Sequence, residues 1–166
     1  VHNAGSKKCP LKFSFKSNKS NAGVGNAGGN ISKGYISGDA DILKQKLKLA
    51  KNGDLSAAAE LRVAKQLRSE GYDVHFIDDM AGGRTNDFTV NGSLQVDVKR
   101  ISGLGRNAAG DLAKGVRQVG PGGQVIVVRP ANSNFTLQEY QNFVNNFKPQ
   151  QPGVTFRVVD EAALPK

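Results

Sequence analysis

Cysteine, histidine and long apolar runs are scarce in this chain, and each shortage removes a class of protein. Cys9 is the single cysteine, which excludes an intrachain disulfide framework and a multi-cysteine zinc site. The two histidines are His2, in the opening residues, and His75, alternating with Val74 and Phe76 as a structural or exposed strand residue does. A ribonuclease mechanism built on a histidine pair therefore fits poorly. No apolar stretch approaches the roughly 18 residues that a spanning helix needs, and mean hydropathy is -0.41, so stable membrane insertion is not expected. "GPGGQ" lacks the Lys-Ser/Thr of a phosphate-binding P-loop and reads as a turn. A secretory signal and an initiator Met are also missing, so the expectation is a fragment or processed product of something longer, beginning at Val1.

What is present is charge, unevenly spread. The 166 residues suit one compact domain with a small appendage, and the net charge is +9. Residues 1–53 carry ten lysines against two aspartates, a balance of +8, while residues 54–166 stand at +1. A basic region points to a nucleic-acid or anionic-membrane partner, and here the argument applies to the first third of the chain rather than to the body. Residues 1–38 hold six lysines and no acid, and "SNKSNAGVGNAGGN" has too little apolar surface to offset its ordering entropy. This divides the chain into a basic, loosely structured segment, 1–53, with a short strand possible at "CPLKFSF", and a folded domain, 54–166.

Periodicity supplies the elements. "DILKQKLKLAK" reads as a helix between Asp39 or Asp41 and Gly53, its lysines forming a solvated face. Asp54 is an N-cap for "LSAAAELRVAKQLRSE", which stops at Gly71. Ala57, Val63, Ala64 and Leu67 form one stripe of that helix, and Arg62, Lys65, Gln66 and Ser69 point away. Glu60 lies inside the apolar stripe, an odd place for a carboxylate. "YDVHFI" reads as a strand, "RNAAGDLAKGVRQVG" as a helix, "QVIVVRP" as a buried strand, "LQEYQNFVNNF" as a helix and "GVTFRVV" as a last strand. Tyr140, Phe143 and Phe147 have helical spacing and belong to a core. The order makes an α/β fold, a mixed sheet flanked by helices.

Between the first of these strands and the next helix, "TNDFTVNGSLQVDVKR" reads as a β-hairpin. Phe88, Val90, Leu94, Val96 and Val98 are its apolar positions, and all are even-numbered. A two-residue Asn91-Gly92 loop would set the first two on the opposite face from the last three. A loop of odd length, or a bulge at Gly92, gathers all five on one buried face. The same choice brings Asp87, Asp97 and Lys99 together, with Glu60 arriving from the preceding helix. Grouped carboxylates suit a hard divalent cation, Mg²⁺ first and Mn²⁺ or Zn²⁺ as alternatives, with waters and a substrate phosphate completing its shell. Such an ion polarises a phosphoryl oxygen and acidifies a bound water, and a lysine beside it orients that water or neutralises developing charge. A plainer reading stands alongside: Asp87 caps a turn, Asp97 and Lys99 form an exposed pair, and Glu60 meets Arg84 on the surface.

A helix Glu, then Asp87, then "DVK" on the next strand resembles the PD-(D/E)xK nuclease superfamily, whose α-β-β-β-α-β core would span residues 54–128. The resemblance implies a restriction-endonuclease-like fold in which Glu60, Asp87 and Asp97 hold the metal and Lys99 assists the attacking water. Asn86 stands where that family often has Pro. "AELRVAKQLRSEGYDV" with "NDFTVNGSLQVDVK" is also similar to C-terminal nuclease toxin domains of CdiA-type polymorphic toxins, used in contact-dependent growth inhibition, and "VHNAG" resembles their junction with the delivery region. This implies a domain released from a larger secreted or cell-surface toxin and acting in the target-cell cytoplasm. It further implies a basic linker or cell-entry segment ahead of the nuclease, and a cognate immunity protein, expected from charge to be acidic. Among such toxins tRNA is favoured over DNA as substrate, in keeping with the near-neutral body, which lacks a broad basic groove for duplex DNA.

Ser102, Arg106, Lys114 and Gln118 are candidates for contact with substrate phosphate. Ser102 and Arg106 sit in a Gly-containing connector after Lys99, and Lys114 and Gln118 are four apart on the next helix; a flexible connector and solvated helix positions are the plainer accounts. Two other functions remain open. One is a DNA-repair or restriction nuclease with the same site. The other is a non-enzymatic nucleic-acid or membrane-surface module using the lysine-rich arm, for which charge reversal at Lys44, Lys46 and Lys48 destroys function and Asp97→Ala does not.

Overall fold

The computed structural model describes residues 34–39, 41–78 and 86–166. Cys9, the "CPLKFSF" segment, the "VHNAG" start and Arg84 lie outside the described residues. A compact unit spans Ile31–Lys166. Its elements are β1 (Ile36–Gly38), α1 (Ile42–Lys51), α2 (Leu55–Ser69), β2 (Val74–Phe76), β3 (Phe88–Val90), β4 (Leu94–Arg100), α3 (Arg106–Val119), β5 (Gln124–Arg129), α4 (Leu137–Asn146) and β6 (Thr155–Asp160). The order α2-β2-β3-β4-α3-β5 follows the sequence reading. β1 does not: Ile36 is a single apolar residue among Gly and Ser, too weak a pattern to announce a strand, yet Ile36–Gly38 pairs with Val74–Phe76. β1 and α1 are thus part of the folded unit.

The six strands run in chain order across one mixed sheet. β2-β3-β4 is an antiparallel meander, while β1 joins β2, β5 joins β4 and β6 joins β5 in parallel. Even-numbered residues of β2–β5, among them Phe76, Phe88, Val96 and Ile126, pack in one cluster with Ala59, Val63, Ala64 and Leu67 of α2 and with Ile42, Leu43 and Ala50 of α1. Phe76 and Phe88 meet edge to face at 5.3 Å. Val125 and Val127 face the other way, onto Leu112, Val116 and Val119 of α3 and Tyr140 and Val144 of α4, with Phe143 and Phe147 at the margin. β4 and β5 are therefore covered on both faces, and polar groups on β4 are carried into the interior.

Local chemistry sets the helix ends. The Asp54 carboxylate accepts the Ala57 N–H at 2.9 Å, and Gly71 past the end of α2 adopts φ 93°. α4 carries a full capping box between Thr136 and Glu139. Asp41 precedes α1 without a side-chain cap; Asp39 is committed instead to His75, whose other ring nitrogen meets Ser37. Arg62, expected to point away from the core, is a structural clamp: its guanidinium donates to the carbonyls of Glu161, Leu164 and Pro165. Such long-range partners leave no trace in a helical period.

Candidate active site

The hairpin places the site. Phe88 pairs with Val96, Thr89 with Gln95 and Val90 with Leu94, leaving the odd-length loop Asn91-Gly92-Ser93. Asn91 and Gly92 both take positive φ, 49° and 74°, the left-handed turn that these two residues accommodate most readily. All the even-numbered apolar residues consequently share a face, as the pattern required.

At the other end of this pairing, β3 and β4 part. Asp87 N–H donates to Val96 O at 3.0 Å, although the register that pairs Phe88 with Val96 would set Asp87 opposite Asp97. The next rung is made by a side chain: Asp87 Oδ2 accepts the Val98 N–H at 2.7 Å. The carboxylate therefore lies along the edge of the ladder instead of standing out from the odd-numbered face, a refinement of the simple parity argument. From there its charge is felt by Asp97 on β4 and by Glu60 on α2, helping to raise the pKa of each.

Asp97 is fully buried against α3 at Gly115, where a Cβ would fall 2.9 Å from Asp97 Oδ2. Lys99 Nζ bonds Asp97 Oδ1 at 3.1 Å and donates to Gln118 Oε1 at 2.7 Å. This corrects the picture of an exposed Asp97–Lys99 pair. Glu60, 7% exposed, meets Lys46 of α1, whose Nζ also stands 3.9 Å from Asp87 Oδ1. Lys46 is the site residue that sequence reasoning missed. The alternation of lysines in α1 predicts a solvated face, yet Lys46 falls on the stripe of Ile42, Leu43 and Ala50 that faces the core. A charge inside an apolar stripe was the signal that singled out Glu60, and the same signal was present in α1.

Crowding and burial dominate the electrostatics. Burial raises the pKa of Glu60 to about 7, repulsion from Asp87 and Asp97 adding to it and Lys46 opposing it. Burial likewise raises Asp97 to about 7, with repulsion from Asp87 added and the attraction of Lys99 and Lys114 opposed. Glu60 Oε2 and Asp97 Oδ2 are ion-paired to ammonium groups but receive no hydrogen bond of good geometry.

The four candidate phosphate contacts fall into two groups. Lys114 is exposed but near enough to Asp97 to lower its pKa, and half-buried Gln118 holds Lys99. Ser102 and Arg106 are exposed and line an open cleft of about 320 Å³ between the end of β4 and the start of α3, together with Arg100, Asn107 and Asp111. The structure thus brings Glu60, Asp87, Asp97, Lys99 and Gln118 together and sets Ser102 and Arg106 farther along the same strand-to-helix connection.

Three hard carboxylates, two with buried oxygens short of donors, are the right kind of ligand for a divalent cation. They are not clasped in advance: among the described residues no group of three or more His, Cys, Asp or Glu side chains is assembled to hold an ion. Two ammonium groups stand among the acids instead. Among the described residues, no helix is long and apolar enough to cross a membrane. Compared with family models, curated proteins and solved structures, the chain matches none.

Proposed function

We propose that this chain is a divalent-metal-dependent endonuclease of the PD-(D/E)xK type, the toxic domain of a CdiA-type polymorphic toxin, cutting tRNA in preference to DNA. The observation that carries the reading is the meeting of Glu60, Asp87, Asp97 and Lys99 where β3 parts from β4. The order α-β-β-β-α-β over residues 54–128 supports it, as do the motif resemblances.

Glu60, Asp87 and Asp97 would hold the cation, which when bound would polarise the scissile phosphate and acidify the attacking water. The chain's own residues do the rest. Lys99, held between Asp97 and Gln118, presents an ammonium where negative charge grows on phosphate or where the water must be aligned. Ser102 and Arg106, exposed along the adjoining cleft, and Lys114 beside Asp97 are available to neighbouring phosphates. In the cell, the domain would act in the cytoplasm of the target, and an acidic immunity protein would block it.

Purified chain incubated with total tRNA and, separately, plasmid DNA, in Mg²⁺, Mn²⁺ or Zn²⁺, tests the proposal, with EDTA and Asp97→Asn as controls. Discrete tRNA cuts ending in 3′-hydroxyls and 5′-phosphates, lost in both controls, are expected, with water as the nucleophile and O3′ as the leaving group. Cyclic-phosphate ends would assign the attack to the RNA's own 2′-hydroxyl. Plasmid cleavage with the same metal dependence would keep the site and change the substrate. Cleavage surviving EDTA would remove the metal from the mechanism.

A further inference from the structure

Lys46 is held at the site by how α1 is seated. Ile42, Leu43 and Ala50 pack against the core from the same stripe of α1, and the helix lies close over the sheet: a Cβ at Gly38 would stand 3.0 Å from Ile42 Cγ2 and 3.2 Å from Phe76 Cβ. The helix axis is thereby fixed, and the Lys46 side chain, 18% exposed, is directed to Glu60 and Asp87. Its flanking helix neighbours Gln45, Leu47 and Leu49 are exposed, so the four-carbon stem can swing to water without moving the helix.

The two lysines of the site meet different acids. Lys99 is bonded to Gln118, a neutral side chain of α3, as well as to Asp97. Lys46 is drawn in by the charges of Glu60 and Asp87. Three carboxylates against two ammonium groups leave the cluster near balance. A divalent ion added to that set would overshoot unless one ammonium withdrew. Coulomb repulsion between an ammonium and a dication a few ångströms apart in a partly buried site is large on the scale of thermal energy.

We propose that Lys46 is the resident cation of this site, its ammonium standing between Glu60 and Asp87 where a divalent ion must bind, so that the ion enters as Lys46 swings out. The inference rests on the reading of Glu60, Asp87 and Asp97 as metal ligands. Lys46 compensates the buried acids while the toxin is free of metal and holds α1 and α2 together by its bridge to Glu60. The metal-competent form is the fraction of molecules in which the side chain is withdrawn, and apparent affinity falls by that fraction.

Isothermal calorimetry with Mn²⁺, on the full chain and on Lys46→Met, Lys46→Gln and Lys46→Arg, tests this, with a thermal melt of each with and without the ion. Removal of the ammonium is expected to tighten Mn²⁺ binding about tenfold, the gain when the docked state is populated about nine parts in ten. Lys46→Arg, which keeps the charge, should stay close to wild type. Without metal the Met and Gln variants should melt below wild type, and saturating Mn²⁺ should raise them by more than it raises wild type. Unchanged or weaker Mn²⁺ binding in both neutral variants, with wild type still binding, overturns the exchange and leaves the metal site standing. No Mn²⁺ binding by any of the four proteins overturns the metal reading itself and the exchange with it.

Discussion

The Asp87 carboxylate takes the Val98 N–H at 2.7 Å, filling by a side chain the rung of the ladder that β3 no longer supplies. One residue thus ends a strand pairing and sets a charge near enough to Glu60 and Asp97 to raise the pKa of each. The two roles are separable by mutation. Asp87→Asn keeps an amide oxygen able to accept from Val98, so its melting temperature should stay near wild type while cleavage falls at least about a hundredfold. Asp87→Ala leaves a buried donor without a partner, and unfolding titration should show a further loss of about 1–3 kcal/mol. Equal stability of the two variants would show that the Val98 bond contributes little.

Gly115 should resist substitution for a reason outside backbone freedom. It is helical, and alanine there would gain up to about 1 kcal/mol of helix propensity. The new Cβ would fall 2.9 Å from Asp97 Oδ2 and 3.1 Å from Val125 Cγ1. Neither group gives way easily: Asp97 is short, buried and bound to Lys99, and Val125 is fully buried. Gly115→Ala should therefore cost about 1–3 kcal/mol net, the usual range for overpacking, and should lower cleavage by shifting Asp97. A stabilised, fully active Gly115→Ala protein would mean that the helix relaxes freely at this point.

The exposed lysines of α1 separate the enzyme reading from a binding module. Lys44 and Lys48 are exposed, Lys44 pairing with Asp41, while Lys46 faces the acids. Charge reversal at all three lysines would injure both readings, so the discriminating change is reversal at Lys44 and Lys48 alone. Cleavage by Lys44→Glu/Lys48→Glu should stay within about threefold of wild type, because exposed charges act weakly and are screened by salt. Loss of toxicity in this variant, with Asp97→Asn still toxic, would favour a module that works by binding.

Much of this was legible because parity and period are strong signals. Five apolar residues at even positions required an odd loop, and Asn91-Gly92-Ser93 provides one. The helix caps at Asp54 and Gly71, and the misplaced charge of Glu60, were equally open to reading. What stayed hidden was tertiary. β1 exists because β2 offers it an edge, not because "ISG" favours a strand. Arg62 is defined by carbonyls about a hundred residues away. The burial of the Asp97–Lys99 pair follows from α3 covering β4, which no local pattern on β4 states.

The raised pKa values of Glu60 and Asp97 give the metal-free protein a distinctive pH profile. A carboxyl whose folded pKa lies above its unfolded value binds its proton more tightly when folded, so its contribution is present at low pH and lost as pH rises. For Glu60 the loss runs from about 4.5 to about 7, and for Asp97 from about 3.8 to about 7. Taken alone, Glu60 corresponds to a change of about 3 kcal/mol and Asp97 to about 4 kcal/mol, and the two share one pool of repulsion, so their joint effect is smaller than the sum. Glu161 works in the opposite sense: its bonds to Arg100 hold its pKa below the usual value, so its stabilisation is present above about 4.5 and fades below. Metal-free wild type should therefore be most stable at about pH 4.5 and lose stability up to pH 7. A Glu60→Gln/Asp97→Asn variant should lack that decline while keeping the fall below pH 4.5. Urea unfolding at a series of pH values measures this, and a flat wild-type profile between pH 5 and 7 would show that the two acids do not carry the repulsion that their burial implies.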